Sequence, residues 1–185
     1  RDMAVLFGDG AGAAVLQPSN DENGVLSTHL HSDGEYCKEL WVKEPSTLSS
    51  KRLSQDSITN GEHYVQMNGR EVFRHAVKRF PEAINEALEF NNLTSADIDL
   101  LIPHQANLRI SSMIQKKMGL PDEKIYNNIQ KYGNTTAASI PICISEALDE
   151  GKINEGDIIV GNAVGSSIFN VLAILGITAL FKPLS

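Results

Sequence analysis

Two short stretches place chemistry-bearing side chains directly at the ends of apolar runs. The first is Ile98-Asp99-Leu100-Leu101-Ile102-Pro103-His104-Gln105-Ala106-Asn107, where a strand-like run delivers a histidine to the start of a helical pattern. The second is Tyr132-Gly133-Asn134-Thr135-Thr136-Ala137-Ala138-Ser139, a glycine-bearing loop of small polar residues feeding another helix. In an open α/β sheet, chemistry sits where strands end and helices begin. An imidazole N–H from His104 and an amide N–H from Asn134, aimed at one point, would make a donor pair for a carbonyl oxygen gaining negative charge. Such a pair suits acyl or enolate chemistry. The same residue types also have structural uses, a satisfied histidine after a strand and Asn-Thr as helix-capping chemistry. Spacing alone leaves both readings open.

The elements that must position these residues follow from periodicity. Val72, Phe73, Ala76, Val77, Phe80, Ala83, Ile84, Ala87 and Leu88 recur at helical spacing and predict a long helix, with Pro81 expected to kink it. Thr94 with Asp97 is an N-cap pattern before a short turn, and Ile98 to Ile102 is a buried strand. Asn107 to Met118 is a second helix, closed by Gly119 and followed by Pro121. A third begins near Ala138, accommodates Pro141 in its first turn and stops at Gly151. Asp157 to Val160 begins another strand. Upstream, Met3–Phe7 and Ala11–Leu16 read as two apolar runs joined by the turn sequence Gly8-Asp9-Gly10, with Gly12 marking close backbone packing. Val25 to His31 is a candidate strand, and Asp33 to Gly61 a polar excursion over the surface. Helices alternating with strands predict an α/β class.

Composition narrows the function classes. The 185 residues are enough for a real core, and 42% hydrophobic with 21% charged is ordinary for a folded domain rather than a disordered chain. A formal net charge of -7 argues against general nucleic-acid binding. Cys37 and Cys143 form no CxxC pair, so neither a metal site nor a disulfide framework is indicated, and a cytoplasmic location is expected. No signal peptide is expected, because Arg1-Asp2-Met3 opens directly into a strand-like run, as a chain beginning inside a larger fold would. Gly8-Asp9-Gly10-Ala11-Gly12 lacks the Gly-Lys-Ser/Thr ending of a phosphate loop and is better explained by strand packing.

The motif wording is more specific than the spacing. Pro103-His104-Gln105-Ala106-Asn107-Leu108-Arg109-Ile110 resembles the histidine motif of β-ketoacyl-ACP synthase III. Gly133-Asn134-Thr135-Thr136-Ala137-Ala138-Ser139 resembles its asparagine motif. Leu6-Phe7-Gly8-Asp9-Gly10-Ala11-Gly12-Ala13 is similar to the strand pair that closes the family's N-terminal half. Ser27-Thr28-His29-Leu30-His31-Ser32-Asp33-Gly34 and Met67-Asn68-Gly69-Arg70-Glu71-Val72-Phe73 match in order, so the resemblance runs from about residue 1 to residue 160. It implies the thiolase-like fold, a layered αβαβα sandwich present here as its C-terminal half, and a homodimer in the intact family protein. It implies condensation of an acyl-CoA primer with malonyl-ACP in fatty-acid biosynthesis, with no cofactor and no metal. His104 and Asn134 would be the decarboxylation pair, and Phe73 a wall of the substrate pocket or simply a core aromatic. Arg109, Lys116 and Lys117 lie on a helix with no acidic residue between Pro103 and Met118. Arg109 and Lys116, seven positions apart, share a face that suits an acidic carrier protein, and the resemblance implies that purpose for Arg109. A merely solvated basic face is the other reading of that stripe.

Two departures accompany the resemblance. The family's nucleophilic cysteine belongs to the half before residue 1, and neither Cys37 nor Cys143 matches its motif. The isolated chain is therefore expected to be inactive in condensation, or to serve only as a carrier-protein-binding module. After Val160 the wording changes. Gly161-Asn162-Ala163-Val164-Gly165-Ser166-Ser167-Ile168-Phe169-Asn170-Val171-Leu172 is similar to the repeat of sodium/calcium exchanger-type antiporters. Residues 158–181 carry no charge and as a helix would span roughly 36 Å, enough for a bilayer core of about 30 Å. The expected organisation is thus 1–17 as the end of an N-terminal half, 18–160 as the synthase domain, and 161–185 as a divergent apolar tail. Contact with a membrane arises only if that tail inserts; a gene-fusion remnant tethered there is the alternative, and a buried helix or strand at 168–180 is the globular one.

Overall fold

A computed structural model describes residues 3–15, 18, 24–47, 50–154, 157–162 and 177–178. The order of the regular elements is β1 (Leu40–Trp41), α1 (Gln55–Thr59), β2 (Gln66–Met67), α2 (Gly69–Phe90), β3 (Leu100–Pro103), α3 (Leu108–Met118), α4 (Ile129–Tyr132), α5 (Ser139–Asp149), β4 (Ile159–Asn162) and β5 (Ile177–Thr178).

The centre is the parallel pair β3–β4, with Leu100 opposite Ile159, Leu101 opposite Val160 and Ile102 opposite Gly161. All four residues of β3 are buried, as expected of a parallel strand covered on both faces. Side chains alternate across a strand, and the packing follows that alternation. Leu101 and Val160 join Ala76, Phe80, Ile84 and Leu88 of α2 and Ile110, Ile114 and Met118 of α3 in one core. Leu100, Ile102 and Ile159 pack with Cys143 and Ala147 of α5 in a second. A sheet thus lies between α2 and α3 on one side and α5 on the other, part of the layered α/β sandwich expected.

Helix α2 runs through Pro81 as a single element, with Ala76, Phe80, Ala83, Ile84, Ala87 and Leu88 as its buried stripe. Asn107 caps α3 by accepting from Arg109 N–H at 2.9 Å, and Gly119 closes it in the left-handed region. The Asp97 carboxylate accepts from both Thr94 N–H, at 2.8 Å, and the Thr94 hydroxyl, at 2.7 Å, which fixes the entry to β3.

Three expectations are corrected. Gly8-Asp9-Gly10 is not a hairpin turn: among the described residues 3–15 pair with no strand of their own, and Phe7 makes a single bridge to Asn134. Val25–His31 forms no strand among the described residues. Side chains hold it instead, with His29 Nδ1 3.2 Å and His31 Nε2 2.5 Å from the Glu86 carboxylate on α2. The excursion at 33–61 is more ordered than its polarity suggested, carrying β1, which pairs antiparallel with β2, and the Ser54-capped α1. In the apolar tail, Ile177 and Thr178 pair antiparallel with Gly161 and Val160 as strand β5. The remainder of the exchanger-like stretch, 163–176 and 179–185, lies outside the described residues. Among the described residues no helix is long and apolar enough to cross a membrane.

Candidate active site

The histidine loop begins where β3 ends. The buried strand runs into Pro103, and the chain then turns, with Ala106 N–H donating to His104 C=O at 2.8 Å, before Asn107 starts α3. His104 Nδ1 lies 2.6 Å from Ser139 Oγ, at the first residue of α5. The imidazole is largely buried, and burial pushes its pKa down from 6.5 to about 4, because desolvation penalises the charged ring. At neutral pH His104 is therefore neutral, a hydrogen-bond donor through one nitrogen and an acceptor through the other.

The asparagine loop is held by three devices. Gly133 has φ 70° and ψ −161°, a conformation essentially restricted to glycine. Asn134 N–H donates to Leu6 C=O at 2.9 Å, and its C=O accepts from Gly8 N–H at 3.0 Å, so the N-terminal segment clamps the backbone on both sides. That segment approaches so closely that a Cβ on Gly8 would lie 1.8 Å from Tyr132 O, and one on Gly12 2.4 Å from Pro141 Cβ. The close packing expected of Gly12 is present, against α5. Thirdly, Thr136 N–H donates to Asn134 Oδ1 at 2.9 Å. That bond settles the amide orientation, since only the oxygen can accept it, and leaves Nδ2–H₂ as the outward donor. Thr136 itself sits at φ 52°, an uncommon region for a β-branched residue.

The two loops are joined by residues that sequence reasoning did not single out. Ser139 is 1% exposed and also accepts from Gln105 N–H at 3.3 Å. Gln105, likewise 1% exposed, donates from Nε2 to Pro103 C=O at 2.7 Å. Its Oε1 accepts from Asn128 N–H at 3.0 Å and Ile129 N–H at 3.1 Å, which ties the histidine loop to α4, the element that leads into Gly133. A long polar residue between a buried strand and an apolar helix was the available signal for Gln105. Ser139, on the buried side of α5, gave none beyond its place in the motif.

The other site residues divide. Phe73 on α2 is half-buried against the α2–α3 core, and the Arg109 guanidinium carbon lies 5.6 Å from its ring centroid. Arg109 and Lys116 are exposed on α3, while Lys117 Nζ donates to Val77 C=O of α2 at 2.8 Å with the rest of its ammonium at the surface. The cysteines fit no nucleophile. Cys143 is buried, its thiol donates to Asn128 Oδ1 at 3.0 Å, and burial raises its pKa to about 12. Cys37 is exposed in the 33–61 excursion, away from both loops in the chain. Among the described residues no cluster of His, Cys, Asp and Glu could hold a metal.

Comparison with known proteins finds relatives over most of the chain. The family model for the C-terminal part of 3-oxoacyl-[acyl-carrier-protein] synthase III matches residues 88–175, and that for 3-oxoacyl-[acyl-carrier-protein] synthase III matches residues 1–34. A β-ketoacyl-[acyl-carrier-protein] synthase III of Granulibacter bethesdensis is 44% identical over 172 residues, covering 91% of this chain and 50% of the relative. That of Clostridioides difficile is 48% identical over 160 residues, covering 86% and 48%. The crystal structure of the Thermus thermophilus synthase III superposes with a TM-score of 0.82 at 36% identity, covering 98% of this chain and 54% of that one. The Aquifex aeolicus VF5 enzyme gives 0.77 at 39%, covering 91% and 49%.

The layered sheet places the chain in the class of thiolase-like α/β folds. Within that class the chain belongs to the β-ketoacyl-[acyl-carrier-protein] synthase III family. It spans about half the length of the curated relatives it matches.

Proposed function

We propose that this chain supplies the decarboxylation half of a β-ketoacyl-ACP synthase III, an acyltransferase that condenses acyl-CoA with malonyl-ACP in fatty-acid biosynthesis. The observation that carries the reading is that one polar atom of each side chain is already engaged within the fold. Thr136 N–H occupies Asn134 Oδ1 and Ser139 occupies His104 Nδ1, so each residue can present an N–H outward. Two neutral donors suit a malonyl thioester whose carbonyl oxygen becomes an enolate oxygen as CO₂ leaves. Their bonds strengthen as charge develops, and only such differential binding lowers a barrier. A largely buried imidazole that stays neutral adds no full charge that would bind the substrate carboxylate and hold it back.

Neither cysteine of this chain can carry the acyl group, so the acyl-transfer step needs a thiolate from the remaining half of the fold. The exposed Arg109 and Lys116 form the side of α3 on which an acidic carrier protein would dock. Phe73, under Arg109, would line the approach from that face.

The test is release of labelled CO₂ from malonyl-ACP by the chain co-expressed with the N-terminal half of a synthase III, its assembly checked by size-exclusion chromatography. The expected result is decarboxylation by the assembled pair and none by the N-terminal half alone. An assembled pair with no release above that half alone would overturn the reading.

A further inference from the structure

A buried hydroxyl has one hydrogen to donate, and where it goes sets the state of its neighbour. Ser139 Oγ has two nitrogen neighbours, Gln105 N at 3.3 Å and His104 Nδ1 at 2.6 Å. The backbone N–H can only donate, so it occupies an oxygen lone pair. The hydroxyl hydrogen then needs an acceptor, since Ser139 is 1% exposed and an unmade bond there carries the full desolvation cost. Among the described residues the hydroxyl has no carbonyl or carboxylate partner. Nδ1 of His104 is the acceptor that remains, and it can accept only if the ring proton sits on Nε2.

We infer that Ser139 is a positioning residue that locks His104 in the Nε2–H tautomer, with Nδ1 accepting from the Ser139 hydroxyl and Nε2–H directed at the oxygen that gains charge. The inference rests on the decarboxylation reading for its catalytic meaning, but not for the tautomer itself. It gives Gln105 a second use: its backbone N–H, by donating to Oγ, turns the hydroxyl hydrogen toward the ring rather than toward the strand end. The same arrangement explains why a serine and not an alanine begins α5. Without Oγ, the imidazole would be free to put its proton on Nδ1 and present a bare lone pair from Nε2 to the developing oxyanion, a repulsive contact. Where a catalytic histidine is left in the wrong tautomer, losses of up to about 10⁴ are known. Misplacement of a catalytic group by about 1 Å can alone cost about 10²-fold. No proton changes ownership in this scheme, because Ser139 and His104 both stay neutral throughout.

Two measurements decide it. The first is long-range ¹H–¹⁵N correlation of histidine-labelled protein at neutral pH, which reads the tautomer without any activity. The expected spectrum has His104 with a protonated Nε2 and an unprotonated Nδ1, and Ser139→Ala should convert it to a tautomer mixture or to Nδ1–H. A wild-type ring protonated at Nδ1, or a Ser139→Ala ring unchanged, overturns the inference. The second is CO₂ release by the assembled halves, where Ser139→Ala should lower kcat by up to about 10²-fold at nearly constant KM. Ser139→Thr, which keeps a hydroxyl, should recover most of that. A shifted tautomer with unchanged kcat, beside an inactive His104→Ala, overturns the positioning role. An active His104→Ala would instead remove the decarboxylation reading, while the nitrogen spectrum still decides whether Ser139 sets the tautomer.

Discussion

Replacing Gln105 by methionine tests the claim that one buried amide holds the two loops together. The side chains are similar in length, so the change removes hydrogen bonding with little change of packing. Three bonds go: those accepted from Asn128 N–H and Ile129 N–H, and the one donated to Pro103 C=O. Neither of those two backbone N–H groups has another partner among the described residues, and Asn128 is 2% exposed. A buried donor left unmade costs about 1–3 kcal/mol. The two N–H groups share one acceptor, so the losses will not add fully, and about 3 kcal/mol is expected. Urea denaturation at pH 7 should show that difference as a lower midpoint at constant slope. Amide exchange at Asn128 and Ile129 should accelerate by roughly 10²-fold, the equivalent of about 3 kcal/mol. Gln105→Glu should lie between, since a carboxylate still accepts from both amides but cannot donate to Pro103. A Gln105→Met protein within about 1 kcal/mol of wild type, with unchanged exchange at Asn128 and Ile129, would show that the Gln105 amide does not hold the two loops together.

Three further outcomes follow from the same geometry. Gly133→Ala should destabilise by about 1–3 kcal/mol, because alanine strains at φ 70°, ψ −161° and its Cβ would meet Leu6 O at 3.2 Å; a thermal melt unchanged from wild type would contradict this. His104 should make the fold acid-sensitive in a defined window. Below pH 6.5 the unfolded chain takes up a proton that the native ring refuses until about pH 4, so stability falls across that interval and levels off below it. The loss attributable to His104 is about 2–3 kcal/mol. It should be missing from His104→Gln when denaturation at about pH 7 and about pH 4.5 is compared, and an equal loss in both proteins would exclude the assignment. Arg109→Glu should weaken binding of an acidic acyl carrier protein by about tenfold or more at low salt, and added salt should narrow that gap. Calorimetry that finds undiminished affinity would remove α3 as the docking face.

Much of the architecture was legible because it rests on periodicity and terminators. The apolar stripe of α2, the four buried residues of β3, the Asn107 and Gly119 caps of α3 and the stop at Gly151 each follow from local rules, and each stands where those rules put it. His104 and Asn134 were found from their motif wording, their positions at element ends agreeing. What escaped was set by long-range partners. Gly8-Asp9-Gly10 has turn composition, but Gly8 serves an approach to Tyr132 and Asn134, and Gly10 one to Thr135 and Ile142, all far along the chain. Val25–His31 has strand composition, yet Glu86 holds it through two imidazoles. The hydrogen bonds of Gln105 and Ser139 join β3, α4 and α5, and no window of sequence contains all of them. Lys117 shows the same limit: its charge was visible, but not its bond to Val77 C=O.

In the proposed reaction His104 and Asn134 act together as donors to one oxygen. A double-mutant cycle on CO₂ release from malonyl-ACP by the assembled halves tests it most directly, comparing wild type, His104→Ala, Asn134→Ala and the pair. Each single change should lower the rate by about 10²–10³, and the double should fall well short of their product, as for groups that act as a unit. Single variants that decarboxylate at the wild-type rate, with assembly intact, would show that the two side chains do not stabilise the enolate.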